Sequence, residues 1–411
     1  MAMSAITRLS VAAAVGMTLS LLATGEAFAY TFTKIATTQD RFTDIIPERS
    51  NFNTSPGPAI NDEGIVAFVA KVANSGIFTG SGGKLTAIAY NGDCSDITSI
   101  AETEKCVNLS SNPRNTAINK GGTVASLVGS EGIKIINDGN VTSIPNNDDI
   151  AAIEDPVLNN NNTVAFYAEL KGGNGIFIST EKETTPIARS GDNVTTIAGN
   201  MDSYQEVFQS TGINDSNTVA FYGRLESGNT GIFASFGGGK PTPIADTSSR
   251  FKQFGDEVAV NNDDTIAFFA QEVAGDSGIF IKRKDREASR IIDTKSFGKS
   301  LALNNGGTVA FLDDIGIFTG LDSVPNKVIA VGDTLDGFGK VTNLLFSRKG
   351  LNNQGQIAFF AKFEDKTIGI FRADPDSAPQ PKPVPEPASV LGLLAVSAVG
   401  ATSIRRKQKL G

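Results

Sequence analysis

The sequence predicts an all-β protein, a seven-bladed β-propeller closed by an N-terminal strand. Three observations lead there. A signature of Asn-x-x-Gly/Asn/Asp, then x-Val/Ile-Ala-Phe, then Gly-Ile-Phe recurs seven times along the 411-residue chain. Large and small residues alternate at period two within the copies, and helical periodicity is absent from the body. The last copy lacks a closing strand, which is found instead near the start of the chain.

Each copy opens at a lead asparagine: Asn61, Asn119, Asn159, Asn214, Asn261, Asn304 and Asn352. Their spacing varies from 40 to 58 residues, which reads as variable loops on a fixed scaffold. An asparagine that opens a tight turn bonds its own backbone two residues on, and Gly or Asn at the last position tolerates positive φ. Asn161, Asn162, Asn217 and Asp264 fit the same logic. Val-Ala-Phe and Gly-Ile-Phe then form two short strands whose phenylalanines fall at matching positions, so they are assigned to the core. A further strand ends in Ile-Ala-x-x-Gly-Asp, as in residues 88–93 and 187–192. About four strands per copy match one propeller blade. The seventh copy stops at Phe371, and Thr33-Lys34-Ile35-Ala36 supplies the strand it lacks. The rival architecture is an open β-solenoid, which needs no sharing between its two ends. The second copy carries Ser126 and Lys134 in place of phenylalanine, which predicts looser packing there.

The two ends carry sorting information. Residues 1–29 read as a secretory signal peptide, with Arg8, an apolar run over 11–23 and an Ala27-Phe28-Ala29 site before Tyr30. An uncleaved anchor is the alternative. The repeat body spans 30–373, and 374–387 is a linker rich in proline and charge, expected to be extended. Residues 388–404 run without a charge, at the lower limit of a transmembrane helix, and 405–411 form a basic cytoplasmic tail. Pro385-Glu386-Pro387, the apolar helix and Arg405-Arg406-Lys407 together resemble the PEP-CTERM sorting signal of bacteria. The resemblance implies an exosortase-type processing enzyme as partner and anchoring through the helix before the tail is removed. It also implies display at the cell surface or release into the extracellular matrix of a bacterium that makes extracellular polysaccharide. The alternative here is an ordinary C-terminal anchor, and both place the body outside the cytoplasm.

Composition narrows the function. The net charge of −8 becomes more negative once leader and tail are removed, which argues against nucleic acid and anionic membrane surfaces as partners. The chain has no histidine, which excludes His-assisted hydrolases and most zinc enzymes. Cys94 and Cys106 lie in one loop, and an oxidising compartment favours a disulfide between them; two free thiols or a weak metal pair are the alternatives. Gly237-Gly238-Gly239-Lys240 lacks the phosphate-loop spacing and reads as a turn. Asp148/Asp149, Asp263/Asp264 and Asp313/Asp314 are adjacent acids of the kind usually solvated in turns, not carboxyls set across a cleft. Asp62-Glu63 and Asp263-Asp264 offer oxygen ligands to calcium without any known calcium-loop spacing. With 26 Phe, no Trp and five Tyr, few rings remain to stack on sugars.

The body also resembles tandem-repeat bacterial surface proteins described by an Asn-x-x-Gly-x-x-Ala-Phe repeat, which implies surface location and little about activity. The expectation is an exported, non-enzymatic binding or structural scaffold. It has no catalytic residue and no cofactor, and its partner is extracellular polysaccharide or a surface protein. The alternative is a calcium-dependent extracellular glycan hydrolase or lyase. The segments long enough to carry specificity are 91–115 and 191–211.

Overall fold

A computed structural model describes residues 30–45, 57–129, 131–144, 149–294, 297–320 and 325–376. The signal peptide, the linker beyond Asp376, the sorting helix 388–404 and the basic tail lie outside the described residues.

Among the described residues the chain forms seven sheets, antiparallel but for two short pairings in the first unit, with one short 3-10 helix at Cys94–Ile97. The fifth unit shows the common plan. Phe251–Val260 runs to the turn at Asn261, Ile266–Glu272 runs back, and Ser277–Lys282 and Ser289–Asp293 complete the sheet. Period-two strands place every second side chain on the same face of a sheet. The signature phenylalanines are therefore cross-strand partners: Phe68 with Phe78, Phe166 with Phe177, Phe221 with Phe233, Phe268 with Phe280, Phe311 with Phe318 and Phe359 with Phe371. All six pairs stack at 5.7–6.0 Å between ring centroids. Burying such a ring contributes about 1.5–3 kcal/mol. In the second unit Ser126 faces Lys134, and polar bonds replace the stack: Ser126 Oγ donates to Arg114 O and Lys134 Nζ to Ser143 Oγ.

The glycine of Gly-Ile-Phe is explained by a close approach. A register shift in the outer strand pushes its carbonyl inward, so a Cβ on Gly278 would lie 2.3 Å from Ile292 O, and one on Gly316 would lie 2.5 Å from Ile329 O.

The expectation of a seven-bladed propeller closed by the N-terminal strand is corrected in both parts, and the fold is stated as all-β and propeller-like. The sheets are unequal: four have four strands, two have five and one has seven. Inserts cause this. In the first unit, Ala101–Glu102 and Val107–Leu109 from the cysteine insert pair in parallel with Leu85–Asn91. In the fourth, Asn193–Thr195 pairs with the 13-residue strand Met201–Ile213. Closure does not belong to one strand. Tyr30–Thr37 pairs with Ile368–Pro375 on the outside of the last sheet, while on the inside Asn352 donates to Asn61 O across 291 residues. Equivalent bonds cross every other junction. A local signature fixes strands within a unit, but it does not show inserts that join a sheet or bonds between turns 40–58 residues apart. An open solenoid would leave its first and last units apart.

The antiparallel plan defines two faces. The lead-asparagine turns and the connections between third and outer strands share one face; Gly238 N donates to Asn217 O within it. The turns between second and third strands, and the long connections from one unit to the next, share the opposite face.

Candidate functional site

Seven turns converge on the axis. The fourth residue of each, Gly64, Gly122, Asn162, Asn217, Asp264, Gly307 and Gly355, has φ between 55 and 82°. Only Gly, Asn or Asp takes this backbone at low cost, so the lead asparagine is carried inward. Each lead asparagine is 3–6 % exposed and must therefore satisfy its carboxamide within the protein. Its Oδ1 accepts from the backbone N–H four residues on, as from Thr218 at Asn214 and from Thr265 at Asn261. Its Nδ2 donates to the backbone carbonyl of the next lead asparagine. The donations run 61 to 119, 159, 214, 261, 304, 352 and back to 61, at 2.9–3.2 Å.

A second, outer circuit uses the residue after each lead asparagine. Backbone N–H groups of Lys120, Asn160, Asp215, Asn262, Asn305 and Asn353 donate to Oδ1 of Asn160, Asp215, Asn262, Asn305, Asn353 and Asp62. The circuit breaks at Lys120, because an ammonium has no acceptor. These two rings and the apolar residue before each asparagine line a cavity of about 160 Å³ at the mouth of the axis. Most of its polar groups are already bonded to one another. Asp215 Oδ2 accepts from Nδ2 of both Asn160 and Asn262.

Deeper in the axis lies an ionic bridge. Four positions before the lead asparagines stand Gly57, Asn115, Asp155, Ser210, Glu257, Ser300 and Arg348. Arg348 pairs with Asp155 of the third unit through Nη2, and its Nη1 lies 3.6 Å from Glu257 of the fifth unit. Lys349 Nζ is 3.6 Å from Asp155 Oδ1 and donates to Pro156 O. The guanidinium and both carboxylates are 5–6 % exposed. Burial lowers the Arg348 pKa to about 10, which leaves it charged at neutral pH. Nearby, Glu154 is pushed above the ordinary carboxylate range, first by burial and against the pull of Arg114.

Of the two long segments read in the sequence, the cysteine insert lies along the outer edge of the first sheet, and the 193–213 hairpin stands at the opposite face. Cys94 and Cys106 are joined by a disulfide, Ile97 is fully buried, and Cys94 N donates to Asn108 Oδ1, so the insert is fixed on its sheet. The 193–213 hairpin exposes Ile197 and Met201. Ile315 and Val331 are joined by a backbone bond and are both exposed, as is Val273.

The structure brings the seven lead asparagines together and uses the predicted acids in turns. Asp264 Oδ1 accepts from Asn214 Nδ2 and Thr218 Oγ1, Asp313 accepts from two N–H groups of its own turn, and Asp62 accepts from Asn353. Gly237 and Gly238 have positive φ in a strand connection. Among the described residues no group of three or more His, Cys, Asp or Glu is arranged to hold a metal. Sequence reading missed Arg348, Asp155 and Glu257. The available signal was the run of small or polar residues four positions before each asparagine, in strands that otherwise end apolar. Asp148 and the sorting residues Pro385, Glu386, Pro387, Arg405, Arg406 and Lys407 lie outside the described residues.

Residues 383–407 match the PEP-CTERM protein-sorting motif. The protein is therefore exported, anchored in the membrane before processing, and handled by an exosortase-type enzyme. Among the described residues no helix is long and apolar enough to cross a membrane. No curated protein matches the sequence. Among solved structures the chain is similar to YCF48 bound to a D1 peptide, at 10% identity and TM-score 0.43, covering 84% of this chain and 97% of that one. It is similar to the WD40 β-propeller domain of Doa1, at 10% identity and TM-score 0.39, covering 83% and 96%. A Burkholderia pseudomallei lectin is similar at 10% identity and TM-score 0.42, covering 78% and 96%. A family model described as a family of unknown function, DUF7453, matches residues 31–391, most of the chain, and the protein belongs to that family.

Proposed function

We propose that the protein is a non-enzymatic scaffold of the cell surface or extracellular matrix, which binds a matrix partner through its long-loop face. One observation carries the reading: the polar groups at the axis are largely committed to bonds within the protein, while the 193–213 hairpin and exposed Ile197, Met201, Ile315 and Val331 gather on the opposite face. The asparagine turns and Val-Ala-Phe strands also favour grouping the body with the Asn-x-x-Gly-x-x-Ala-Phe surface proteins. Co-sedimentation of the body, residues 30–387, with the source organism's extracellular polysaccharide tests the reading. Retention that survives a calcium chelator and falls with Ile197→Asp or Met201→Asp supports a glycan partner on this face. Retention lost with chelator favours a calcium-dependent site instead. No retention removes polysaccharide and leaves a surface protein as partner.

A further inference from the structure

One junction of the outer circuit at the axis is left open. At each of the others a backbone N–H of one unit donates to a side-chain oxygen of the next. Between the first and second units the donor is Asp62 N–H, and the side chain that should accept belongs to Lys120, which has no acceptor. Among the described residues Asp62 N–H has no hydrogen-bond partner, and the Lys120 ammonium has neither a hydrogen bond nor an ion pair. Two unmet donors, one of them a cation, therefore stand side by side in the circuit. The carboxylates of the rim are engaged elsewhere. Both oxygens of Asp62 accept from Asn353 of the seventh unit, and Asp215 accepts from Asn160 and Asn262.

Below this rim the cavity of about 160 Å³ has an apolar floor, made by the residue before each lead asparagine. Leu158, Ile213, Val260, Leu303 and Leu351 are only partly buried, so the floor is open to what enters the mouth. Lys120 lines the same cavity. The turn that carries it is not crowded: a Cβ on Gly122 would meet no atom within 4 Å, and one on Gly121 would meet only Asn119 Oδ1, at 3.5 Å. A polar rim over an apolar floor, with a few unmet groups that fix orientation, is the usual construction of a small-molecule site.

We propose that the mouth of the axis binds a small organic carboxylate, whose oxygen is the acceptor that residue 120 does not supply and whose apolar face rests on the aliphatic floor. Asp62 N–H and the Lys120 ammonium both donate to the carboxylate. Bonds to an ionised acceptor are stronger than neutral ones, so the site selects an acid over its uncharged counterpart. An aliphatic acid and a sugar acid both offer this chemistry. The site lies on the face away from the 193–213 hairpin and holds whatever that face binds.

The test is a ligand-observed NMR titration of the full chain in detergent with isobutyrate and glucuronate, each set against its neutral counterpart, isobutyramide and glucose. At least one acid is expected to bind more tightly than its counterpart by about tenfold or more. Lys120→Asn removes the ammonium and gives Asp62 N–H an acceptor, closing the circuit. It is expected to melt no lower than the parent and to lose the preference for the acid, whereas Lys120→Arg should keep it. A preference shown by isobutyrate alone points to an aliphatic acid, and one shown by glucuronate alone to a sugar acid; either supports the site. No preference for either acid, or a preference unchanged in Lys120→Asn, overturns it. The comparison of acid with neutral counterpart needs only the parent chain, so it decides the matter even where a variant fails to fold.

Discussion

At the scale of single residues, a buried carboxamide stabilises a fold only when all of its bonding groups are used. Asn261 donates to Asn304 O and accepts from the N–H groups of Asp263 and Thr265. Asn261→Ala orphans those backbone groups and is predicted to cost about 2–4 kcal/mol in urea unfolding. Asn305→Ala on the exposed rim removes one acceptor, from Asn262 N, and should cost about 0.5–1.5 kcal/mol. Glu154 gives a pH signature. Its folded pKa is raised by burial, so its contribution is complete below the unfolded carboxylate value and is lost as pH rises through the folded one. Glu154→Gln is therefore predicted to melt above the parent at pH 7, and the two should converge as the solution is acidified below the ordinary carboxylate range.

At the scale of elements, the cysteine insert behaves as an added edge and not as a free loop. Its strands cover the outer edge of the first sheet, where an unpaired strand would invite association with another chain. The disulfide closes a segment with a sequence separation of 12. Replacing both cysteines with serine is predicted to lower stability by about 3 kcal/mol, read as a fall in Tm. Cleavage by a protease should then concentrate within residues 92–112. The second unit is a contrasting case, because Ser126 and Lys134 exchange an aromatic stack for polar bonds and its sheet persists.

At the scale of the whole molecule, Arg348 ties units that are not neighbours. Its partners Asp155 and Glu257 belong to the third and fifth units, so the bridge crosses the axis that the asparagine ring encircles. Arg348→Met removes the cation that Asp155 and Glu257 share, leaving Lys349 beside Asp155, and is predicted to cost about 3–5 kcal/mol. Adding Asp155→Asn and Glu257→Gln should recover most of that loss, since the penalty comes from buried negative charge that has lost the guanidinium and not from lost volume. Urea unfolding of the single and triple variants measures this. No recovery would mean that Arg348 acts chiefly by filling space.

Much of the local structure was legible because it depends on neighbours in sequence. Asn61 and its six counterparts mark turns through bonds spanning two to four residues, and Phe268 and Phe280 announce paired strands through the same period-two pattern. The sorting motif is legible for a similar reason, since a processing enzyme reads it as a contiguous segment. Arg348 was not legible. A lone arginine before a turn looks solvated until strands from the third and fifth units place Asp155 and Glu257 against it. The unequal sheets were hidden too, because an insert that adds strands to a sheet has the composition of a loop. The sequence by itself determined the strands, the turns and the export of the protein, all of which follow from short-range chemistry. Tertiary structure alone decided the asparagine ring and the axial bridge. Those depend on distances between residues tens to hundreds of positions apart, which only the closed packing of the sheets sets.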